Sequence, residues 1–106
     1  MAREEPFSFV YDPVVADHLR AIERKYHSLI RPIQEQLQFE PDIRTRNHKP
    51  LQLPAPFGAT WELRLGPDNR FRVLYELDLE GHVVQILAIG VKDRNRLIVG
   101  GEEVEL

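Results

Sequence analysis

The chain has 106 residues, no cysteine and a formal net charge of −3, with 42% hydrophobic and 29% charged residues. This composition is typical of a globular domain, and the lack of cysteine excludes disulfide bonds and thiolate metal sites. No apolar run approaches the roughly 18 residues of a membrane span, and the N-terminal stretch MAREEPFSF lacks the apolar core of a signal sequence. We therefore expect one domain over residues 1–106, no membrane partner, and a reducing compartment such as the cytoplasm.

The charge is distributed unevenly along the chain. Residues 1–43 carry five Lys or Arg against eight Asp or Glu, whereas residues 44–96 carry nine against six. Residues 97–106 contain three glutamates and no basic residue. The basic middle segment favours an anionic partner, and the acidic remainder opposes tight binding to nucleic acid.

The N-terminal part is predicted to form a short strand followed by helical structure. Residues 7–11 alternate and are rich in aromatic side chains, which predicts a strand. Asp12 and Pro13 are a suitable capping residue and first-turn proline for a helix. Apolar residues then recur in steps of three and four, which predicts one helical stripe. Its members are Val15, Leu19, Ile22, Tyr26, Ile30, Ile33 and Leu37.

Pro32 interrupts this stripe, because a proline inside a helix removes a hydrogen bond and clashes one turn back. Two arrangements satisfy the pattern. One is a single kinked helix over residues 13–38; the other is a helix to about Tyr26, a turn at His27 and Ser28, and a second short helix that ends before Pro41. We favour the second arrangement, because Ser28 is a suitable capping residue for a new helix.

Residues 40–58 are predicted to form an ordered loop, because they contain four of the eight prolines and precede a complete sheet. Loops longer than about 12–15 residues inside compact domains are often functional. This loop carries Arg44, Arg46, His48 and Lys49 within six positions. Such a basic cluster is suited to phosphate contacts, and its alternative role is a solvated loop.

Three consecutive strands are predicted over residues 60–65, 70–79 and 83–92, separated by the turn sequences GPDN and EGH. The third strand is nearly all apolar, as expected for an interior strand that is buried on both faces. A charged turn follows, and residues 97–99 predict a further short strand. Two glycines and an acidic tail complete the chain.

Arg64 and Arg72 are predicted to lie on one face of this sheet. Side chains alternate along a strand, so Trp61, Leu63 and Leu65 share the apolar side while Arg64 points to the other. Arg72 has the same placement in the next strand. Paired guanidinium groups are suited to anions, of which phosphate is the commonest. The alternative is a pair of solvated arginines neutralised by Glu62 and Glu76.

The order of strand, helices, basic loop and three strands resembles the RelE/ParE-type toxins of bacterial toxin–antitoxin systems. The segments that carry the resemblance are WELRLG, RFRVLYELD and VVQILAIGVKDRNRLIVGGEEVEL, and TRNHKPL is similar to a loop of one subgroup. The resemblance implies an α+β fold. Its parts are an N-terminal strand, a helical hairpin or kinked helix, and a three- to four-stranded antiparallel meander with the helices on one face.

The resemblance also implies a function for the open face of the sheet. In the RelE branch this face cleaves mRNA in the ribosomal A site, without a metal or other cofactor, and in the ParE branch the fold inhibits DNA gyrase. We therefore expect a ribosome-dependent mRNA endoribonuclease that inhibits translation. Its partners would be the ribosome, mRNA and a cognate antitoxin, in a homodimer or a toxin–antitoxin hetero-oligomer. The alternatives are gyrase inhibition without enzymatic activity, and a degenerate toxin that only binds its antitoxin.

By position in these motifs, the resemblance implies that Arg64 and Arg72 hold the scissile phosphate. Lys92 stands one residue later than the family's usual basic residue, and we expect it to join them on the same face. His48 is the candidate base, because neighbouring positive charge lowers the pKa of an imidazole and favours its neutral form. The expected RNA-contacting residues are Arg44, Arg46, Lys49 and Arg94.

The C-terminal segment departs from the pattern of several relatives, which place a tyrosine or histidine there as an acid or stacking residue. In this chain the matching segment, residues 97–101, reads LIVGG. Tyr75 and Trp61 are predicted on the core side of their strands, so neither replaces that group.

Overall fold

The computed structural model describes residues 5–22 and 24–105, without the side chains of Lys25, His27, Leu29 and Ile30. The side chains of Ile30, a predicted stripe member, and His27, a predicted turn residue, therefore lie outside the described residues. Two helices, α1 (Val14–Arg20) and α2 (Ile30–Leu37), are joined through a 3₁₀ helix (Arg24–Leu29). The strands are β1 (Ser8–Tyr11), β2 (His48–Pro50), β3 (Trp61–Leu65), β4 (Phe71–Asp78), β5 (Val83–Asp93), β6 (Arg96–Val99) and β7 (Glu102–Val104), with short 3₁₀ turns at Pro56–Gly58 and Pro67–Asn69.

The strands form one sheet in the order β2-β3-β4-β5-β6-β7, with antiparallel neighbours throughout. β1 pairs in parallel with β5, as expected where a strand returns to the sheet through a helical connection. Strand β4 runs along one edge of β5, so β1 and β6 share the other edge. The predicted interior position of the third strand is confirmed.

His18 fills the gap between β1 and β6 on the shared edge of β5. β1 ends opposite Ile86 and β6 ends opposite Gly90, so the residues of β5 between these two positions lack a strand partner on this edge. The buried His18 ring accepts the Ile89 N–H through Nδ1 at 3.3 Å, and Phe57 packs edge-on against that ring. The imidazole thereby satisfies a buried backbone amide that the sheet leaves free.

The helices cover the apolar face of the sheet. Val15 on α1 and Ile33 and Leu37 on α2 are buried in one cluster with residues of β3, β4 and β5. The predicted core side is confirmed, because this cluster contains Leu63, Leu65, Phe71, Val73 and Tyr75, with Trp61 and Leu77 packed against it. The Tyr75 hydroxyl donates to the Pro41 carbonyl at 2.6 Å, which ties the loop after α2 to the core.

The helical segment is divided, but not where the sequence predicts. α1 ends at Arg20, and the predicted turn at His27 and Ser28 belongs to the 3₁₀ helix. Pro32 lies in the first turn of α2, where a backbone amide has no intrahelical partner, so the proline neither breaks nor kinks this helix. The start of α1 agrees with prediction: the Asp12 carboxylate accepts the Val14 N–H at 3.0 Å. Within residues 5–22 and 24–105, no helix is long and apolar enough to cross a bilayer.

The sheet face turned away from the helices is less open than the sequence predicts. Leu74, Ala88, Leu97 and Val99 form a second buried apolar cluster there, together with Ala59. Leu51 packs against this cluster, so residues of the loop before β3 cover part of the face. The sequence analysis placed Arg64 and Arg72 on this side and did not predict an apolar cluster there.

Two short edge strands were not predicted. β2 lies inside the loop expected over residues 40–58, and its three residues include Pro50, which an edge strand tolerates because no further strand needs its amide. β7 lies in the expected acidic tail and pairs with β6 through a turn at Gly100 and Gly101. Both glycines have positive φ, at 60° and 83°, a conformation that costs glycine little.

Candidate functional site

Arg64 and Arg72 lie directly opposite each other on β3 and β4. Opposed residues of an antiparallel pair project to the same face. Here that face is the one turned away from the helices, and we call it the arginine face. Their neighbours in the same strands, Leu63 and Val73, point into the helical core. The predicted juxtaposition of the two guanidinium groups is therefore present.

Glu62 joins the two arginines. Its Oε1 accepts a hydrogen bond from Arg64 Nε at 2.8 Å and another from Arg72 Nη1 at 3.3 Å. Arg72 Nε also donates to the Asn69 carbonyl at 3.1 Å, which fixes the plane of the guanidinium. Only 4% of the Glu62 side chain and 9% of the Arg72 side chain are exposed, against 32% for Arg64. Arg72 is therefore a rigid, buried cation, and Arg64 presents its charge to solvent.

The charge state of Arg72 follows from this environment. Burial lowers the pKa of Arg72, the adjacent Glu62 carboxylate raises it, and Arg64 lowers it again. Arginine is effectively always protonated in proteins, so Arg72 keeps its positive charge. Glu62 neutralises one of the two guanidinium charges and leaves the pair with a net positive charge.

Lys49 and Lys92 project to the same face as the arginine pair. Lys49 lies opposite Glu62 in the β2–β3 pairing. Lys92 lies two residues beyond Gly90, which faces Arg72 across β4 and β5. An extra residue in β5 at Leu87 shifts the register between Leu74 and Tyr75. Such a bulge re-aims the side chains that follow it, and here it leaves Gly90 and Lys92 on the arginine face.

Gly90 allows β5 and β6 to approach closely next to Arg72. A Cβ atom at this position would lie 2.7 Å from the Ile98 carbonyl oxygen and 2.8 Å from Val99 Cγ2. Real Cβ atoms essentially never make such contacts, so this position of the sheet requires glycine.

A cleft of about 430 Å³ extends from Arg72 and Lys92 across β6 to the C-terminal strand. This volume lies within the range of small-molecule sites, about 300–1,000 Å³. Leu97 and Val104 line its middle, and Asn95 and Arg96 line it at the β5–β6 turn. Glu103 and Glu105 belong to its lining at the C-terminal strand, although the pairing of Glu103 with Ile98 turns the Glu103 side chain toward the other face of the sheet.

The contribution of the C-terminal strand to the cleft was not predicted from the sequence. Glu102, Glu103 and Glu105 were assigned to a tail, whereas β7 places this segment beside β6 and along the cleft. The sequence does contain a signal for this strand. Gly100 and Gly101 separate the apolar residues 97–99 from residues 102–104, and two short segments joined by two glycines predict a hairpin.

The structure does not bring His48 to the arginine face. His48 lies opposite Leu63, a core residue under the helices, and is 6% exposed. Burial lowers the pKa of His48, and a hydrogen bond to the Glu40 backbone and the Glu40 charge oppose this shift. His48 Nδ1 is buried without a hydrogen-bond partner among the described residues. The lowered pKa agrees with the expectation, but its main cause is burial and not neighbouring cations.

The other predicted contacts are exposed residues of turns. Arg44 and Arg46 flank Thr45, whose hydroxyl accepts the Asn47 and His48 backbone amides at 3.2 and 3.0 Å. The Asn47 carbonyl accepts the Arg64 N–H at 2.9 Å, so this turn lies next to the arginine pair. Arg94 is in the β5–β6 turn, with φ at 59°, near the cleft but not lining it.

Residues 5–22 and 24–105 contain no group of three or more His, Asp or Glu side chains positioned to hold a metal ion.

Comparison with known proteins identifies the fold. No family model matches the sequence, and no curated protein matches it. Among solved structures, a chain of the RelBE2 toxin–antitoxin complex from Mycobacterium tuberculosis superposes with a TM-score of 0.67 at 22% sequence identity. The match covers 87% of this chain and 98% of that chain. The chain has a RelE-type toxin fold.

The RelE-type fold confirms the predicted α+β arrangement of an N-terminal strand, two helices and an antiparallel sheet. Because the match covers nearly all of the other chain, the likeness extends over the whole RelE-type unit and not over a fragment. At this identity the likeness establishes the fold, so the roles of individual residues depend on the geometry described above.

Proposed function

We propose that this protein is the toxin of a toxin–antitoxin pair and cleaves mRNA on the ribosome. The observation that supports the proposal most is the opposed pair Arg64 and Arg72 on the uncovered part of a RelE-type sheet. Lys49 and Lys92 add two further positive charges, and Glu62 removes one. An RNA phosphate is the anion that such a surface recognises best.

In metal-free RNA cleavage the 2′-oxygen bonds to phosphorus while the bond from phosphorus to the 5′-oxygen breaks. The reaction needs a base for the 2′-hydroxyl proton, an acid for the leaving 5′-oxygen and cations around the phosphate, and the arginine face supplies the cations. Attack by the 2′-oxygen produces a phosphorane with additional negative charge, and preorganised donors stabilise that charge at little reorganisation cost. Arg72, held by Glu62 and Asn69, supplies such a fixed donor group. Arg64 supplies an accessible charge, and Lys92 approaches from the cleft.

The turn that carries Arg44 and Arg46 is proposed to contact RNA phosphates other than the scissile one. Both arginines are exposed, and the turn is hydrogen-bonded to β3 because the Asn47 carbonyl accepts the Arg64 N–H. Lys49 lies between this turn and Glu62. These residues follow the RNA backbone in the proposal, with Arg94 as a further contact at the other end of the face. His48 has no role in it, because the sheet separates its ring from the arginines.

The proposal is tested by inducing the protein in bacteria and mapping mRNA ends. The informative variant is Arg64→Ala with Lys92→Ala, which leaves the buried Arg72–Glu62 pair intact. Arg31→Ala is the matched control, because Arg31 is an exposed arginine on α2, paired with Glu35 at 3.1 Å and remote from the face. We expect wild type and the control to arrest growth and to produce new mRNA ends, and the double variant to do neither. Growth arrest and cleavage that survive in the double variant would refute the site.

A second candidate function is inhibition of DNA gyrase without catalysis. The observation that favours it is the position of His48, because the predicted base does not reach the arginine face. Growth arrest with intact mRNA, together with loss of supercoiling by purified gyrase, would select this function over RNA cleavage.

A cognate antitoxin is part of the proposal, because the solved structure with the same fold is a toxin–antitoxin complex. An acidic segment of that partner would neutralise the arginine face, as charge complementarity requires. Co-expression with the neighbouring open reading frame should yield a copurified complex, and a protein that stays free under those conditions would contradict this part of the proposal.

A further inference from the structure

An exposed aromatic ring lies at the rim of the arginine face. Phe57 is the one aromatic residue among the large apolar side chains that the described part of the chain exposes, with 43% of its surface accessible. The other described Phe, Trp and Tyr residues are buried or half-buried. A single exposed apolar side chain is ordinary on a protein surface, so the significance of Phe57 depends on its backbone and its surroundings.

The backbone holds Phe57 in a conformation that bulky residues rarely adopt. Its φ of 62° and ψ of 12° lie in the left-handed region, where a large side chain is an outlier. Pro56 restricts the backbone before it, and the Ala59 N–H donates to the Pro56 carbonyl at 3.2 Å and closes the turn. Strained residues persist where the surrounding structure enforces them, and they cluster at ligand sites. The ring is therefore presented from a rigid, strained turn.

The turn lies on the side of the sheet that carries the arginine pair, because Ala59 is buried there in the second apolar cluster. Phe57 packs edge-on against His18 with the ring centroids 5.6 Å apart, and His18 bonds the backbone amide next to Gly90. Gly90 in turn lies opposite Arg72. Since adjacent strands are about 4.8 Å apart, the Phe57 ring is two strand spacings from Arg72, roughly 10 Å across the sheet.

Cations and an exposed aromatic ring on one surface are the two elements of a site for single-stranded nucleic acid. Such sites combine a positively charged groove that follows the backbone with aromatic side chains on which bases stack. Single-stranded RNA offers unstacked bases for this contact. His18 occupies only part of the surface of the Phe57 ring, and the accessible remainder can receive a base while the adjoining phosphate lies at the arginines.

We propose that Phe57 is a stacking platform for one base of the RNA that lies on the arginine face. The inference rests on the proposed binding of RNA to that face, and it adds a contact that is not electrostatic. Every base has a π-face, so stacking tolerates all four bases. Phe57 therefore contributes affinity and fixes the position of the strand, and it does not select a sequence.

The test measures binding of a fluorescent 2′-O-methyl hexauridine, whose 2′-O-methyl groups prevent strand cleavage. The informative variant is Phe57→Leu, which keeps an apolar side chain beside His18 but removes the aromatic face. Phe57→Tyr keeps that face, and Leu53→Ala is the matched control, because Leu53 is an exposed apolar residue of the same loop. Phe57→Leu should bind about tenfold more weakly, whereas Phe57→Tyr and Leu53→Ala should stay within about twofold of wild type.

Two further measurements separate stacking from charge and from folding. The slope of log K against log salt concentration reports phosphate contacts, so Phe57→Leu should keep the wild-type slope. An abasic residue, scanned along the oligonucleotide, should weaken binding to wild type at the stacked position and should have no effect there on Phe57→Leu. The scan on wild type needs no substitution in the protein.

Wild-type affinity in Phe57→Leu, an equal loss in Phe57→Tyr, a changed salt slope or no binding by wild type would overturn the inference. If Phe57→Leu keeps its RNA affinity but no longer copurifies with the proposed antitoxin, the ring belongs to a protein interface, which overturns the inference as well.

The outcome is separable from the nuclease proposal. Weaker RNA binding by Phe57→Leu, in a protein that leaves cellular mRNA intact, would support the base contact and remove the proposed cleavage. Cleavage of mRNA together with full RNA affinity in Phe57→Leu would have the opposite meaning.

Discussion

Replacement of Glu62 by Gln should destabilise the protein strongly, because Glu62 is the only carboxylate seen to pair with the buried Arg72 in the described part of the chain. Arg72 would keep the Asn69 carbonyl but lose its counter-charge at a site with 9% of the side chain exposed. Breaking a buried ion pair from one side costs about 3–5 kcal/mol, and the retained carbonyl bond favours the lower end, about 3 kcal/mol. For a chain of this size each kcal/mol lowers Tm by roughly 4–8 °C, so Tm should fall by about 12–24 °C.

The assay is urea and thermal unfolding of Glu62→Gln beside Glu76→Gln. Glu76 lies on the same face of β4 and is half-buried, and its replacement should change stability by no more than about 0.5 kcal/mol. A third variant, Glu62→Leu with Arg72→Met, removes both charges and should recover most of the lost stability, since apolar replacements of buried ion pairs are often neutral. A loss below about 1 kcal/mol in Glu62→Gln, or no recovery in the double variant, would refute the reasoning.

Three further predictions concern the sheet and its edge. Tyr75→Phe removes the hydrogen bond to the Pro41 carbonyl and should cost about 1–2 kcal/mol in urea unfolding; an unchanged midpoint would contradict it. Gly90→Ala should cost about 1–3 kcal/mol because its Cβ would meet the Ile98 carbonyl, and full stability would show that β5 and β6 are farther apart. Burial lowers the pKa of His18 below its ordinary 6.5, an effect that nearby aspartates partly offset. Because the unfolded chain then binds the proton more readily than the folded chain, the free energy of unfolding should fall as pH drops through about 6.5. The fall should be smaller in His18→Asn. An equal fall in both proteins would exclude His18 as its cause.

The parts of the fold that were predicted are those with a strong local pattern. Strict alternation in β3 and β4 identified the core side of Leu63 and Val73, because a pleated strand with one buried face leaves little freedom. The capping role of Asp12 also followed from local chemistry. The position of the helix break did not follow from local chemistry. Pro32 is compatible both with a kink and with the first turn of a new helix, and tertiary packing selects between them.

The candidate site was predicted in part for the same reason. Alternation placed Arg64 and Arg72 together, but it could not show that Glu62 bridges them, because that contact depends on side-chain rotamers across two strands. His48 was assigned to the site from its basic neighbours, whereas the pairing register of an unpredicted edge strand turns its ring toward the core. The contribution of the C-terminal segment to the cleft depends on the pairing of β7 with β6, and β7 is a three-residue strand whose composition resembles a solvated tail.

The central claim, that the arginine face binds RNA phosphates, is tested most directly by the salt dependence of binding to a single-stranded RNA oligonucleotide. Each phosphate contact contributes a slope of about −0.7 in a plot of log K against log salt concentration. Arg64→Ala should weaken binding and reduce the magnitude of the slope by about 0.7, and Arg31→Ala should leave both unchanged. Equal slopes for wild type and Arg64→Ala, or an equal loss in Arg31→Ala, would contradict the claim.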